Sequence, residues 1–193
     1  MSETNLIINT VELCRRSVLI GASVLIVAGR DRKALGQDAQ AEKLKPGDRI
    51  MFASGEHQGQ PARVDLLTAG NPPVAALPAD PGTGVVRSGS RFNKLLLLRL
   101  KPEDLDAETK PYSVEGIVAY SAVCTHQGCT LNAWNAEARV IQCFCHHSEF
   151  SAGAAGRPAK GPATASLPLL PLSVADGVLV VAGDFTAKPG PRK

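Results

Sequence analysis

Two short loops rich in cysteine and histidine constrain this chain more than any other feature. One is the segment CTHQGC at residues 124–129, and the other is CFCHHS at residues 143–148. Each loop offers a pair of metal-binding side chains, Cys124 with His126 and Cys143 with His146. A four-ligand site needs both pairs, so we expect the strands that carry these loops to hold them face to face.

Two thiolates and two imidazoles suit two kinds of metal site. They can bind a 2Fe–2S cluster with sulfur on one iron and nitrogen on the other, or they can hold a structural zinc ion. A zinc site has no use for Cys129 and Cys145, and a Cys-x-His pair is a less usual zinc motif than Cys-x-x-Cys, so the pattern favours the cluster. A plain disulfide framework would leave both histidines unexplained, and a zinc-stapled module is the non-redox alternative.

The two loops resemble the motifs of the Rieske iron–sulfur proteins, C-T-H-x-G-C and C-x-C-H-x-S. The resemblance implies one 2Fe–2S cluster per chain, with Cys124 and Cys143 on the inner iron and His126 and His146 on the outer iron. Because two neutral imidazoles replace two thiolates, we expect a potential of roughly −150 to +300 mV, against about −400 mV for plant-type ferredoxins. His147 adjoins His146, but the Cys-x-x-His spacing from Cys143 selects His146 as the ligand.

The two remaining loop cysteines are interpreted as a disulfide, Cys129 to Cys145, that joins the loops. An oxidising compartment, which export would provide, permits such a bond. Rieske ferredoxins and oxygenases usually lack these cysteines, and an oxygenase also needs a second, catalytic iron domain, for which 193 residues leave no room. Cys14, the fifth cysteine, lies in the N-terminal segment and is interpreted as incidental.

The second loop departs from the respiratory Rieske subunits of cytochrome bc complexes, which usually read C-P-C-H-G-S-x-Y. Phe144 replaces the proline, His147 the glycine and Phe150 the tyrosine. Ser148 is retained, and its hydroxyl can donate to a bridging sulfide. Phe150 cannot donate to a ligand cysteine, and the loss of one hydrogen bond to cluster sulfur should lower the potential.

Beyond the loops, residues 117–124 (IVAYSAVC) and 147–150 (HSEF) resemble the small Rieske subunit of arsenite oxidase. This resemblance implies an electron-transfer subunit, not an enzyme by itself, that links a larger molybdenum oxidoreductase subunit to a cytochrome c or similar acceptor. The alternative is the quinol-oxidising subunit of a cytochrome bc complex, whose larger partner is cytochrome b. The net charge of +3 is too weak to indicate nucleic-acid binding.

The N-terminus carries an export pattern. Arg15 and Arg16 precede the mainly apolar residues 17–28, as in a twin-arginine signal. A chance arginine pair before an ordinary apolar helix is the alternative. We predict a leader or membrane anchor plus linker over residues 1–41, with an A-x-A sequence at 39–41. The rest of the protein is then expected at the periplasmic side of the bacterial inner membrane, anchored or bound to a complex.

The remaining residues, 42–193, predict an all-β Rieske-type domain, an antiparallel β-sandwich with a small cluster-binding subdomain at about 117–165. Residues 71–84 and 101–111 are predicted as irregular segments, and Gly161-Pro162-Ala163 as the loop that covers the cluster. Alternating or continuous apolar runs predict strands at residues 49–53, 62–67, 94–100, 116–123, 131–134, 139–142, 167–174 and 177–182.

Overall fold

The computed structural model describes residues 38–192. The predicted leader, with its arginine pair and Cys14, lies outside the described residues apart from 38–41, which are helical. The boundary between residues 41 and 42 therefore stays a prediction. Within residues 38–192, no helix has the length and apolar character needed to cross a bilayer.

Antiparallel strands form two sheets in the described part of the chain, as the all-β prediction requires. The seven-stranded sheet has the order β10-β11-β1-β2-β3-β4-β9, and the four-stranded sheet has the order β5-β6-β7-β8. The larger sheet consists of β1 (Arg49–Phe52), β2 (Val74–Ala79), β3 (Leu95–Arg99), β4 (Ile117–Ser121), β9 (Leu169–Leu170), β10 (Leu172–Ala175) and β11 (Val178–Val181). The smaller sheet consists of β5 (Ala133–Asn135), β6 (Val140–Cys143), β7 (Ser148–Ser151) and β8 (Pro158–Lys160).

Strands β3 and β4 are buried on both faces, which explains the unbroken leucine run in β3. Because successive side chains of a strand point to opposite faces, Leu95 and Leu97 join one apolar core while Leu96 and Leu98 join a second. The first core is shared with β1, β9, β10 and β11, and the second with the small sheet. The small sheet thus rests on the strand that leads into the first cysteine–histidine loop.

One hydrogen bond between the sheets comes from a buried tyrosine. Tyr120 on β4 is fully buried and donates from its hydroxyl to the carbonyl of Ala152, just after β7, at 2.7 Å. Burial raises the pKa of this phenol far above its usual range, so the hydroxyl stays a donor. Tyr120 therefore ties the small sheet to the central strands.

Two of the predicted local structures are wrong, and two strands escape prediction. Residues 62–67 form a 3-10 helix, Val64–Leu66, because only the start of this run reaches the sheet: Ala62 bonds to Ile50 and Leu179 before the chain turns. Residues 71–84, predicted as irregular, contain strand β2. Its proline, Pro78, lies beyond Ala76, where pairing with β3 ends, so the missing N–H of the proline removes no hydrogen bond to β3. Strands β7 and β8 had not been predicted.

Candidate metal centre

The first cysteine–histidine loop leaves the end of β4 as a tight, self-bonded turn. The Cys124 N–H donates to the carbonyl of Cys129 at 2.8 Å, and the Gly128 N–H donates to the carbonyl of Cys124 at 3.0 Å. Gly128 has a positive φ of 78°, a conformation that glycine adopts without steric cost. These bonds leave Cys124 buried at the base and Gln127 exposed at the tip.

The second loop is the turn of the β6–β7 hairpin. Cys143 pairs with Ser148 across the strand ends, and the His147 N–H donates to the carbonyl of Cys143 at 2.9 Å. His147 has a positive φ of 56° and is exposed, as are Phe144 and His146. Hairpin geometry therefore presents Cys143 inward and the following residues outward.

The two loops meet so that sulfur lies inside and imidazole lies outside. Cys124 and Cys143 are free thiols, each 1% exposed, and they are close enough to share a hydrogen bond. The rings of His126 and His146 lie edge to face with centroids 4.7 Å apart. The structure therefore brings together the four side chains that the sequence singled out.

A buried polar atom without a partner tests whether a cofactor fits here. Within residues 38–192, Nδ1 of His126 is buried and has no hydrogen-bond partner, which is costly unless the nitrogen binds a ligand. Burial raises the pKa of the Cys124 thiol, and the adjacent Cys143 raises it further, against hydrogen bonds from the backbone of His126 and Gln127. A metal removes the proton from a coordinating thiol, so the raised pKa does not stand against coordination, and the orphaned nitrogen beside two thiols suits a metal centre of sulfur and nitrogen donors.

The other two loop cysteines form a disulfide beside this site. Cys129 and Cys145 are joined with an S–S distance of 2.12 Å, and their sulfurs lie within 4.8 Å of that of Cys143. Bonded sulfurs are not thiolates, so only Cys143 in this trio can supply one. A zinc site built on the three cysteines would require the disulfide to be broken.

A third loop closes over both ligand loops, in the place predicted for Gly161-Pro162-Ala163. The Ala163 N–H donates to the hydroxyl oxygen of Ser148 at 3.2 Å. The Thr125 hydroxyl donates to the carbonyl of Ala165 at 2.6 Å. Ser148 is fully buried, and because it accepts from Ala163 its own proton is free to point at a cofactor. Thr125 belongs to the first motif, but the sequence does not predict its contact with the third loop.

Phe150 packs in the core that surrounds the two free thiols. It is fully buried, and its core also contains Cys124, Cys143 and Ile141. Phe150 is therefore an apolar packing residue, and it also lies in the same core as the two cysteines proposed as ligands.

No local sequence pattern predicts the contacts between the first loop and two distant arginines. The Arg91 Nη1 group donates to the carbonyl of Gly128 at 3.2 Å, and the Arg192 N–H donates to the carbonyl of Thr125 at 2.9 Å. A Cβ at Gly128 would lie 2.8 Å from Arg91 Nη2 and 3.3 Å from Pro191. The partners lie 37 or more residues away in the chain, beyond the reach of any local pattern.

Comparisons with known proteins agree with this geometry. The family model of the Rieske [2Fe-2S] domain matches residues 95–171. The cytochrome bc1 complex Rieske iron–sulfur subunit of Corynebacterium glutamicum is 37% identical over 90% of this chain and 47% of its own length. That of Streptomyces lividans is 39% identical over 50% of this chain and 58% of its own length. The chain thus spans about half the length of these relatives.

Two solved structures share weaker similarity. The soluble domain of Rieske protein II from Sulfolobus acidocaldarius is 21% identical, covers 46% of this chain and 61% of its own, and has a TM-score of 0.39. A hyperthermophilic respiratory Complex III chain is 19% identical, covers 82% of this chain and 99% of its own, and also has a TM-score of 0.39. From the family match at residues 95–171, which includes both loops, the chain carries a Rieske [2Fe-2S] domain and binds a 2Fe–2S cluster.

Proposed function

We propose that the chain is the Rieske electron-transfer subunit of a membrane-associated oxidoreductase complex. The observation that carries this proposal is the convergence of two buried thiols and two imidazoles, one of which has an orphaned buried Nδ1. A bound 2Fe–2S cluster supplies a one-electron redox couple. Cys124 and Cys143 would hold its inner iron, and His126 and His146 its outer iron.

The surrounding residues would shield the cluster from water on the cysteine side and leave it accessible to a redox partner on the histidine side. The thiols lie in the apolar core, while the His146 ring is exposed. Ser148 would donate to cluster sulfur, and the disulfide and the third loop would hold both ligand loops closed. An electron would therefore pass at the histidine end.

A cytochrome bc1-type complex is the assembly we favour, with cytochrome b as the larger partner. The proposal is supported by the relatives, which are Rieske subunits of cytochrome bc1 complexes. Phe150 in place of tyrosine favours the arsenite oxidase type instead, with its molybdenum subunit, and that assembly is the second candidate. The same proposal includes quinol, a cytochrome c-type acceptor, and twin-arginine export to the periplasmic side.

Purification of the full chain from its membranes, with its partners, tests this function. We expect a dithionite-reduced sample to show the electron paramagnetic resonance signal of a Rieske cluster, whose g average is below that of all-cysteine clusters, together with b-type haem. Molybdenum without b-type haem would favour the second candidate. A silent sample with stoichiometric zinc would contradict the cluster.

Two adjacent histidines provide a matched control for the ligands. His146→Asn should abolish the Rieske signal because it removes a donor to the outer iron. His147→Asn should keep it, since asparagine tolerates the positive φ at this position. The opposite pattern would show that the ligand assignment is wrong.

A further inference from the structure

Charge is unevenly distributed over the described part of the protein. Over residues 38–192, lysine and arginine together are as numerous as aspartate and glutamate. The segments around the metal centre depart from this balance, because they contain no acidic residue. They are residues 88–94, 124–130, 143–148, 158–166 and 185–192, and their basic residues are Arg91, Lys94, Lys160, Lys188 and Arg192.

Hydrogen bonds join the first loop to two of these segments. Arg91 donates to the carbonyl of Gly128 at 3.2 Å. The backbone of Arg192 donates to the carbonyl of Thr125 at 2.9 Å, and its guanidinium donates to the carbonyl of Ser166. Pro191 and Arg192 therefore lie against the loop of His126, and Lys188 comes shortly before them in the chain.

A close backbone contact brings a further lysine to the second loop. A Cβ at Gly161 would lie 2.5 Å from the carbonyl oxygen of His147, so the chain at this point touches the loop directly. Lys160 precedes Gly161, is exposed and pairs with Glu149 in the β7–β8 register. Glu149 is half-buried and accepts a hydrogen bond from Gln142 at 3.1 Å.

The basic residues at this end lack acidic partners, whereas the other described arginines, apart from Arg49, form ion pairs. Among residues 38–192, every ion pair of an arginine involves Arg63, Arg87, Arg99, Arg139 or Arg157. None of the five basic residues around the metal centre forms a salt bridge in that part of the chain. The charges of the exposed members, Arg91, Lys160 and Lys188, are therefore available to a molecule that approaches the metal centre, whereas the Arg192 guanidinium is partly buried.

We propose that this basic end, which comprises Lys160, Lys188, Arg91 and Arg192 around the two loops, docks an acidic face of a protein redox partner. The proposal rests on the proposed function and names the chemistry of the partner's surface. At the tip, Phe144 is 66% exposed, and an exposed aromatic among rim charges is typical of a protein-binding surface. A protein is favoured over an anionic membrane because His146, which lies beside Phe144, must approach another redox centre.

Such a surface should act mainly on the rate of association. Complementary charges steer encounters and raise the association rate constant by about 10- to 1,000-fold at low salt. The attraction falls as salt rises, since the Debye length shortens to about 8 Å at 0.15 M. Rim charges also suppress partners of like charge, so a basic protein should associate slowly.

The test measures association of the full chain with an immobilised acidic c-type cytochrome by surface plasmon resonance at several salt concentrations. Lys160→Glu and Lys188→Glu should each lower the association rate constant about tenfold at low salt, and salt should reduce the difference. Both lysines are exposed and form no salt bridge within residues 38–192. Lys101→Glu makes the same charge change beyond the opposite end of β3 and should have little effect.

Three results would overturn the docking surface: association that is independent of salt, an equal effect of Lys101→Glu, or faster binding of a basic cytochrome c. Vesicles of anionic phospholipid serve as a second probe. Lysine-dependent binding of vesicles, with association to the acidic cytochrome unaffected, would show that the surface recognises a membrane instead.

Every variant is first checked for the visible absorption of its cluster. A protein without cluster would count against the proposed function, whereas a cluster-loaded protein without charge dependence counts only against the docking surface.

Discussion

At the scale of single residues, the metal centre combines side chains that follow from the sequence with others that do not. Spacing alone selects His146 over His147. In the structure the two neighbours differ, because His147 has a positive φ whereas the ring of His146 contacts that of His126. Arg91 reaches the first loop from 37 residues away. Its contact depends on how β3 pairs with β4, and no single-residue rule contains that information.

Phe150 offers a direct test of how the protein sets the potential of its cluster. Phe150→Tyr adds a hydroxyl in the core that holds Cys124 and Cys143, where it can donate to a ligand sulfur and stabilise the reduced form. A hydrogen bond of about 1 kcal/mol corresponds to a rise of about 40 mV in a one-electron midpoint potential. Protein-film voltammetry measures this shift.

The control for this substitution is Phe144→Tyr, which adds the same hydroxyl at a side chain that is 66% exposed. We expect little change in its potential, because water competes for the hydroxyl. A midpoint potential that stays the same or falls in Phe150→Tyr would refute the hydrogen-bond explanation of this position.

At the scale of strands and loops, apolar runs predict the buried strands well, and they fail where tertiary contacts decide. The run of leucines in β3 predicts a strand buried on both faces, and the structure has it packed between two cores. Strand β2 escaped prediction because prolines surround it and Pro78 lies within it. Only the end of pairing with β3 at Ala76 makes that proline tolerable. Strand β8, Pro158–Lys160, is too short and polar to leave a periodic pattern.

The stability of the domain and the retention of its cluster should both depend on the disulfide that joins the two ligand loops. The double variant Cys129→Ser/Cys145→Ser removes a cross-link between residues 16 apart, and a loop of this size should contribute about 3 kcal/mol to the free energy of unfolding. We also expect faster loss of the cluster, since the loops are freer to open and admit water. Chemical denaturation and the decay of visible absorption at constant temperature measure the two effects.

Cys14→Ser, at the cysteine interpreted as incidental, provides the matched control and should leave both quantities unchanged. If the double variant kept its cluster as long as the parent protein, the disulfide would have no role in closing the loops. The interpretation of the two cysteine pairs as ligands and clamp would then need revision.

At the scale of the whole molecule, a buried ion-pair network attaches the segment before β1 to the sheet. The Arg87 side chain is 2% exposed and donates to both carboxylate oxygens of Asp48, at 2.8 and 3.0 Å. It also pairs with Glu42 at 2.6 Å and with Asp80 at 3.1 Å. These partners lie 39, 45 and 7 residues away in the chain, so no local sequence signal could predict the network.

A neighbouring side chain strengthens the same attachment. Asn93 is buried, and its amide donates to the carbonyls of Glu42 and Arg87 at 2.7 and 2.9 Å. Its side-chain oxygen accepts from the Leu44 N–H at 3.2 Å. Because Asn93 begins the approach to β3, the network links the segment before β1 to the strand beside the metal centre.

Removal of the cation should therefore destabilise the whole domain. Arg87→Met leaves the carboxylate of Asp48 buried at 2% exposure without a counter-ion, and breaking one side of a buried pair costs about 3–5 kcal/mol. Guanidinium denaturation followed by circular dichroism, at matched cluster occupancy, measures the loss. Arg63→Met, which breaks an exposed pair with Asp65 at 3.0 Å, is the control and should cost about 0–1 kcal/mol.

A second variant separates the buried charge from the packing of the arginine. In Arg87→Met/Asp48→Asn no fully buried charge is left unpaired, because Asp80 and Glu42, the other carboxylates that lose their arginine, are partly exposed. The asparagine oxygen can still accept from the Lys45 N–H, which donates to Asp48 at 2.8 Å in the parent protein. Most of the lost stability should return, because replacing both members of a buried pair is often close to neutral. If the double variant were as unstable as Arg87→Met, the loss would come from the hydrogen bonds of Arg87 to Ala39 and Glu42 rather than from the stranded carboxylate of Asp48.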